Sequence, residues 1–435
     1  MKLLEAVKQA GVVGAGGAGF PTHVKLEGKA KILVVNGAEC EPLLRVDQQL
    51  LAAEMETVLQ ALEAIIAEMG LEKVYLGIKG KHKNLVSQYQ AVKNPKIGVS
   101  VLGDFFPAGD EHILVREVTG LTIPAGGIPL NVGVVVLNAE TVYNIGRALK
   151  GLPVTEKFVT VTGAVREPQT LRVPVGTPIA DLLEFCGGVT VPAAVFVDGG
   201  PMMGRIVART AMVSKVTKGI LVLPSDLNFI VKRQTDWSVV KRLAFHCEIC
   251  QTCTDFCPRH LQGHGLEPHK LMRYLAYGGD IDSEDFLGAL LCAECGVCES
   301  FACPVNIFPR QVVAYFKREL ASRKVRYPAG QPLLPAGPAA DRRVPTGRLI
   351  ARLGLTKFDR PAPLTDREIC PQTVTISLRP PFGAPCQPLV EVGQHVRAGE
   401  QLGETPAGAL GSSVHASIDG TVRQVSDTLV VLERD

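Results

Sequence analysis

Apolar positions along the first third of the chain alternate between helical and strand periodicity. Residues 4–10 space their apolar side chains for a short helix that Gly11 ends, and the run Gly14 to Gly19 follows. Lys31-Ile-Leu-Val-Val35 is a short unbroken apolar stretch, as a buried strand would be. It opens onto Asn36-Gly-Ala-Glu-Cys-Glu-Pro42. DQQLLAAEMETVLQALEAIIAEM, residues 47–69, carries apolar residues at helical spacing and stops at Gly70, which predicts one long helix with a glycine cap. Val74-Tyr-Leu-Gly-Ile78 predicts another strand. Strand and helix in alternation mean an α/β domain, here over residues 1–150.

The texture changes at Lys157. FVTVTGAV, TLRVPVGTPIADLLEFCGGV and AAVFVDGGPMMGRIV predict short strands around one helix at Ile179 to Phe185, a small α+β unit over residues 155–208. Cysteines sit between helical stretches over residues 240–326. The Pro-, Gly- and Ala-rich segment 327–368 has linker composition. Residues 369–435 alternate short strands and turns with no helical pattern, predicting a small all-β module. The fold class is therefore α/β multidomain.

Charge narrows the function only by exclusion. Lys and Arg total 46 against 43 Asp and Glu, so there is no basic footprint for nucleic acid and no polybasic membrane anchor. No stretch approaches the ~18 apolar residues of a membrane span, and MKLLEAVKQAGVV lacks a signal-peptide core. The expectation is a soluble, cytoplasmic protein. The 12 cysteines would suggest disulfides in a secreted chain, but eight of them fall in two tight groups, which in a cytosolic protein points to metal.

Those groups are Cys247-x2-Cys250-x2-Cys253-x3-Cys257-Pro258 and Cys292-x2-Cys295-x2-Cys298-x4-Cys303-Pro304. A [4Fe–4S] cube needs four thiolates around a compact core. A C-x2-C-x2-C loop supplies three, and the fourth comes from the Cys-Pro of the other group. One cluster is accordingly assigned to Cys247, Cys250, Cys253 and Cys303, and the other to Cys292, Cys295, Cys298 and Cys257. Zinc, the competing reading, takes ligands as separated pairs and has no use for a third and fourth cysteine in each group. The isolated Cys40, Cys186, Cys370 and Cys386 are expected to be small buried side chains.

Gly14-Ala-Gly16-Gly17-Ala-Gly19 satisfies G-x-G-x-x-G, and Glu39 follows at about the distance of a ribose contact. The context is wrong for a dinucleotide fingerprint, which follows a strand and opens a helix, whereas this run follows a helix and meets Phe20-Pro21. The run still offers closely spaced N–H groups for a phosphate or a flavin edge, with Lys25 nearby; a tight surface turn is the alternative reading. Asn36, Glu39 and Glu41 lie just past a strand end, where α/β sheets place ligand contacts.

Gly14 to Lys25 with Val35 to Pro42 resembles the FMN- and NADH-binding domain of the RnfC family, and more distantly the flavin subunit of respiratory complex I. Phe106-Pro-Ala-Gly-Asp-Glu111 and Val136-Leu-Asn-Ala-Glu-Thr141 match the same fold's later flavin contacts. Residues 158–205 resemble its β-grasp (SLBB) domain, and a dicluster ferredoxin follows. The resemblance implies that Gly14, Gly16, Gly17, Lys25, Asn36, Asn138 and Thr141 hold FMN. It implies that Glu41, Asp110 and Glu111 lie around flavin and nicotinamide, that Glu41 acts at the nicotinamide step, and that Phe20 stacks on the adenine of NADH; Glu39 is a further cofactor-binding candidate. Residues 1–150 are expected to bind FMN on their own. Ala38, Cys40 and Leu137 stand where complex I has Asp, Ser and Asn.

Val392 to Glu400 and Val414 to Val422 resemble the barrel-sandwich (lipoyl-type) fold. The stretch from His415 to Gly420 takes the place of the carrier hairpin and has no Lys, which favours a docking or structural role over a swinging arm. RnfC proteins have this module at the N-terminus, and its C-terminal position resembles the PduS family of cobalamin reductases. The implied function is an NADH-dependent oxidoreductase passing electrons through FMN and two [4Fe–4S] clusters to a corrinoid or a partner enzyme. Such a protein works free in the cytoplasm or in a bacterial microcompartment. The alternative is a peripheral RnfC-type protein on the cytoplasmic face of an ion-pumping ferredoxin:NAD oxidoreductase.

Overall fold

The computed structural model describes residues 2–278, 284–328, 330–334 and 339–435. In the first domain, α1 (Leu3–Gln9) and α2 (Thr22–Leu26) flank the glycine run. After them come β1 (Ile32–Gly37), α3 (Val46–Ala53), α4 (Met55–Met69), β2 (Lys73–Lys79), α5 (Lys83–Gln90), β3 (Ile97–Leu102), β4 (Phe105–Phe106), α6 (Glu111–Thr119), β5 (Val134–Asn138) and α7 (Ala139–Leu149). The sheet is parallel in the order β3-β2-β1-β5. Period-2 alternation divides its faces. Leu33, Val35, Val135 and Leu137 pack with α1, α4, α5 and α7, while Val34, Val134 and Val136 pack with α6. The winding reverses between β1 and β5, so their carboxyl ends open the crevice where such sheets take ligands. Register places Asn36 opposite Asn138 there.

The single helix expected over 47–69 is two. The chain breaks at Glu54 (φ −116°) between α3 and α4. The two segments face different partners. The almost fully buried Asp47 of α3 must reach Lys218 in the second domain, whereas Val58, Leu62 and Ile65 of α4 enter the first core.

The second domain contains β6 (Glu156–Gly163), β7 (Gln169–Pro174), α8 (Ile179–Phe185), β8 (Ala194–Asp198), β9 (Arg205–Val207) and β10 (Gly219–Pro224). Its sheet order is β7-β6-β10-β8-β9. The middle strand β10 lies beyond residue 208, so the unit runs further than its sequence texture suggests; Ile220 to Leu223 are fully buried.

Helices over Trp237–Ala244, Pro268–Tyr277 and Pro309–Ser322 frame the cysteine loops. Phe286 is wedged between Tyr274 and Phe316 at ring distances of 4.6 and 4.7 Å. The Pro-rich stretch is not merely a linker. Val344–Pro345 pairs antiparallel with β4, and Thr346–Arg352 is a helix whose Leu349 and Ile350 join the core of the second domain.

The last module is all-β, with a four-stranded and a three-stranded sheet around Val374, Ile376, Leu402, Val422 and Leu432. Its His415 is buried rather than at an exposed hairpin tip, and packs where Gly11 leaves no room for a side chain. Lys215 Nζ donates to both Gly11 O and Ser413 O at 2.8 Å, joining three domains through one cation. Among the described residues no helix is long and apolar enough to cross a membrane.

Candidate functional site

The glycine run folds back on itself. Gly14 N–H donates to Phe20 O (2.9 Å) and Gly19 N–H to Gly14 O (3.1 Å). Ala15 is held through both of its backbone polar groups, its N–H donating to Thr141 Oγ1 at 2.9 Å and its carbonyl receiving Lys157 Nζ at 3.4 Å. With the inner side pinned, Gly16, Gly17 and Ala18 form an exposed crest. Gly17 has φ +116°, and a Cβ there would meet nothing within 4 Å; on Gly16 it would approach Asn138 at 3.3 Å. The crest is thus a side-chain-free edge over the crevice, a shape that fits a flavin or its phosphate.

Around it converge Asn36, Gly109 to Glu111, Asn138 and Thr141. Asn36 Nδ2 donates to Gly109 O (2.9 Å), fastening the β1 loop to the turn before α6. Asn138 caps α7 through Glu140 N–H (3.0 Å) and donates to both oxygens of Asp47 (3.1 and 3.2 Å). Lys25 Nζ pairs with Glu111 Oε1 at 2.8 Å on the crevice side of α2. Burial pushes the half-buried Cys40 thiol, packed beside Gly109, up to about 12.

Two carboxylates are placed elsewhere than expected. Glu39, with φ +31°, turns away and accepts the N–H groups of Val46 (2.7 Å) and Asp47 (3.0 Å), capping α3. Burial, and then the charge of Asp47, pushes its carboxyl up to about 7. Glu41, expected at the nicotinamide, instead accepts the N–H groups of Met202 and Met203, both at 2.9 Å, from the turn between β8 and β9. Burial raises its carboxyl against the pull of those N–H groups and of Arg233. Phe20 leans on Phe382 of the last module, with centroids 4.9 Å apart.

The crevice also depends on residues beyond 150. Asp47 and Glu140, 2% and 1% exposed, pair with Lys218 and Lys157 of the second domain. Cutting the chain at residue 150 would remove the cations that pair with both carboxylates.

The cysteine loops repeat one backbone design. The second and fourth residues after the leading cysteine have positive φ in both, Ile249 (52°) and Gln251 (62°) in one, Glu294 (56°) and Gly296 (77°) in the other. Such turns aim N–H groups inward at sulfur, as Glu294 N–H does toward Cys292 Sγ at 3.3 Å. Cys257 lines one small cavity with Cys292, Cys295 and Cys298, while Cys303 interacts with Cys247 and Cys253. Cys257 therefore faces the other group's three thiols, and Cys303 faces Cys247 and Cys253. Burial pushes the thiols up, Cys257 to about 11 and Cys253 to about 12. Thiols crowded this way suit iron, which holds them as thiolates. Among the described residues no three His, Cys, Asp or Glu side chains gather closely enough for a single ion. Cys186 and Cys386 are buried as expected, but Cys370 is exposed.

Two contacts, neither evident from sequence, tie the flavin crevice to the cavity of Cys257, Cys292, Cys295 and Cys298. Arg259, just after Cys257-Pro258 and lining that cavity, forms a bidentate pair with Asp110 at 2.5 and 2.9 Å. Burial alone would raise Asp110, but Arg259 outweighs it and holds the carboxyl below its ordinary range. The Gly199–Gly204 turn, which carries the Glu41 contacts, is held from its other side by Arg233 and Arg310 on Met202 O (2.8 and 2.9 Å). The Met202 side chain reaches the cysteine loop at Gly296. A glycine-rich turn in an otherwise strand-forming segment, GGPMMG, is the available signal for the second contact; an arginine next to Cys-Pro is all there is for the first.

Family models match in sequence order: a Nuo51 FMN-binding domain over residues 7–147 and an SLBB domain over 158–206, then a 4Fe-4S dicluster domain over 246–308 and an RnfC barrel sandwich hybrid domain over 361–434. The chain is 42% identical over 434 residues to cobalamin reductase PduS of Citrobacter freundii, covering 99% of this chain and 96% of that one. Against PduS of Salmonella typhimurium LT2 it is 41% identical over 437 residues, covering 100% and 96%. A component of the Na+-translocating ferredoxin:NAD+ oxidoreductase complex of Acetobacterium woodii is 35% identical over 265 residues, 59% of this chain and 57% of that one. The protein is an oxidoreductase with an FMN domain and a [4Fe–4S] dicluster domain. By identity along its whole length, it belongs to the PduS cobalamin reductase family.

Proposed function

We propose that the protein takes electrons from NADH at the crevice and delivers them singly to a corrinoid or a corrinoid-handling partner. FMN supplies the exchange between a hydride and single electrons, and the clusters supply one-electron carriage. The observation that carries this reading is the Asp110–Arg259 pair, because it fixes the turn beside the flavin crevice directly against one set of cluster thiols.

The chain's own residues then divide the work. The crest at Gly16 to Ala18, Asn36, Asn138 and Thr141 would hold FMN, and Lys25 with Glu111 would order the crevice mouth. Glu41 and Asp110 position the two contacts toward Cys257, Cys292, Cys295 and Cys298. The other set, Cys247, Cys250, Cys253 and Cys303, includes the exposed Cys250 and lies beside exposed Phe245 and Ile249, a surface at which an acceptor can approach. Each NADH gives NAD+, a proton and two electrons, which reduce two Co(III) centres to Co(II). Cytoplasmic work, free or inside a microcompartment, follows from this reading.

The test is anaerobic mixing of reconstituted protein with NADH and hydroxocobalamin. Bleaching of the flavin absorbance by NADH and appearance of Co(II) in the EPR spectrum are expected. Protein with full FMN that neither NADH nor NADPH reduces would remove the donor from this scheme. Flavin reduction without any Co(II) would leave a protein acceptor, the arrangement of an RnfC-type protein.

A further inference from the structure

We infer that the cavity behind β4 is a binding site for a small ring-bearing acid, an aromatic body that carries one anionic group and a polar edge. The inference does not depend on which donor or acceptor the protein serves.

The cavity measures about 310 Å³, within the ~300–1,000 Å³ of small-molecule sites. Stretches far apart in sequence enclose it: β4 with α6, the chain around Cys257, and the segment that returns to pair with β4. Phe105, Phe106 and Phe256 give it apolar walls suited to a ring. Pro258 lines both this cavity and the one formed with Cys257, Cys292, Cys295 and Cys298, so the two are neighbours.

The charges at its edge do not balance. Glu117 is taken by Arg343 at 2.5 Å. Arg116 gives one N–H to Leu261 O at 3.2 Å, and the exposed Arg342 lies over Phe256, 5.4 Å from the ring centroid. Among the described residues neither arginine has a carboxylate partner, which leaves two guanidinium groups for an anion. Gln262, in the same wall, is only 5% exposed, and neither its Oε1 nor its Nε2 has a hydrogen-bond partner among the described residues. An amide buried with both atoms unpaired costs the empty fold stability. A ligand edge that offers a donor beside an acceptor, as a ring hydroxyl next to a carboxylate does, would satisfy it. Apolar walls alone would take any hydrocarbon, and cations alone any anion. The unpaired amide beside both calls for one molecule that joins the two.

The experiment titrates the full holoprotein with 1-hydroxy-2-naphthoate in a calorimeter. One molecule per chain should bind. Arg342→Ala should weaken it about tenfold, the loss of one charge-assisted hydrogen bond, and should leave the binding of uncharged 1-naphthol unchanged. Gln262→Leu should weaken the acid too, yet raise the urea midpoint of the ligand-free holoprotein because the unpaired amide is gone. FMN content and the EPR signals of dithionite-reduced clusters should stay as in the wild type. Wild type that does not bind the acid, or variants that bind it as tightly as wild type, would overturn the inference. So would 1-naphthol binding as tightly as the acid, since that leaves a plain apolar cavity. Displacement of the acid by an equal concentration of inorganic phosphate would overturn it as well, because the site would then have no use for a ring.

Discussion

Arg259 grips Asp110 with its two terminal guanidinium nitrogens across the boundary between the flavin domain and the cysteine-bearing domain, with side chains only 10% and 13% exposed. Asp110 also caps α6 through the N–H groups of His112 and Ile113, so one carboxylate orders a helix and an interface together. Removing one partner of a pair this buried strands the other. Arg259→Met should cost about 3–5 kcal/mol, and Asp110→Asn combined with Arg259→Met less than the sum of the singles. Urea unfolding of the holoprotein checks this; additive losses would mean that the pair contributes nothing of its own.

The crossed thiols make a spectroscopic prediction. Cys303→Ser should damage the cluster of Cys247, Cys250 and Cys253, and Cys257→Ser the cluster of Cys292, Cys295 and Cys298. EPR of dithionite-reduced variants decides it, because each change should alter one signal and spare the other. Damage confined to the cluster nearest in sequence would refute the crossing.

Exposure separates the same two clusters. Cys250 is exposed and Ile249 is 39% exposed, whereas Cys295 and Cys257 are buried. A dysprosium chelate added to reduced protein should relax the signal lost in Cys303→Ser more than the signal lost in Cys257→Ser. Equal relaxation of the two would place both clusters at similar depth.

Gly17→Glu should abolish FMN binding while leaving both clusters. The fold has space for the side chain, since a Cβ meets nothing within 4 Å, so the loss would come from the ligand's place being taken. Gly17→Ala carries the same strain at φ +116° without the carboxylate and should keep more FMN. Flavin absorbance per chain measures both, and stoichiometric FMN in the glutamate variant would move the site elsewhere.

Glu39 predicts a pH dependence. Its carboxyl is raised from an ordinary 4.5 to about 7 by burial and by Asp47. Between those values the folded state holds a proton that the unfolded chain has released, so stability falls as pH rises through that window. Glu39→Gln should flatten the fall: its urea midpoint should drop less than that of the wild type between pH 5 and pH 7.5. Parallel slopes would show that Glu39 does not titrate there.

Local chemistry made part of this protein readable from its residues alone. Iron ligation demands closely spaced thiols, so C-x2-C-x2-C followed by Cys-Pro announces its cluster whatever surrounds it. Strand, helix and glycine cap follow from periods of two and 3.6 residues, which is why β1, β2 and α8 are legible. The helix expected over 47–69 comes out as two because nothing local marks Glu54. The break exists so that Asp47 can reach Lys218, 171 residues later. Folding in three dimensions likewise decided which backbone N–H groups Glu39 and Glu41 accept, since a carboxylate past a strand end can face a ligand or cap a neighbour with equal local propriety. It brought β10 from beyond residue 208 to complete the second sheet. It set Phe382 against Phe20, and Arg259 against Asp110. Each of these pairs lies more than 100 positions apart in the chain, and only burial, which forces a charge to find a counter-ion and a ring to find a neighbour, brings its members together.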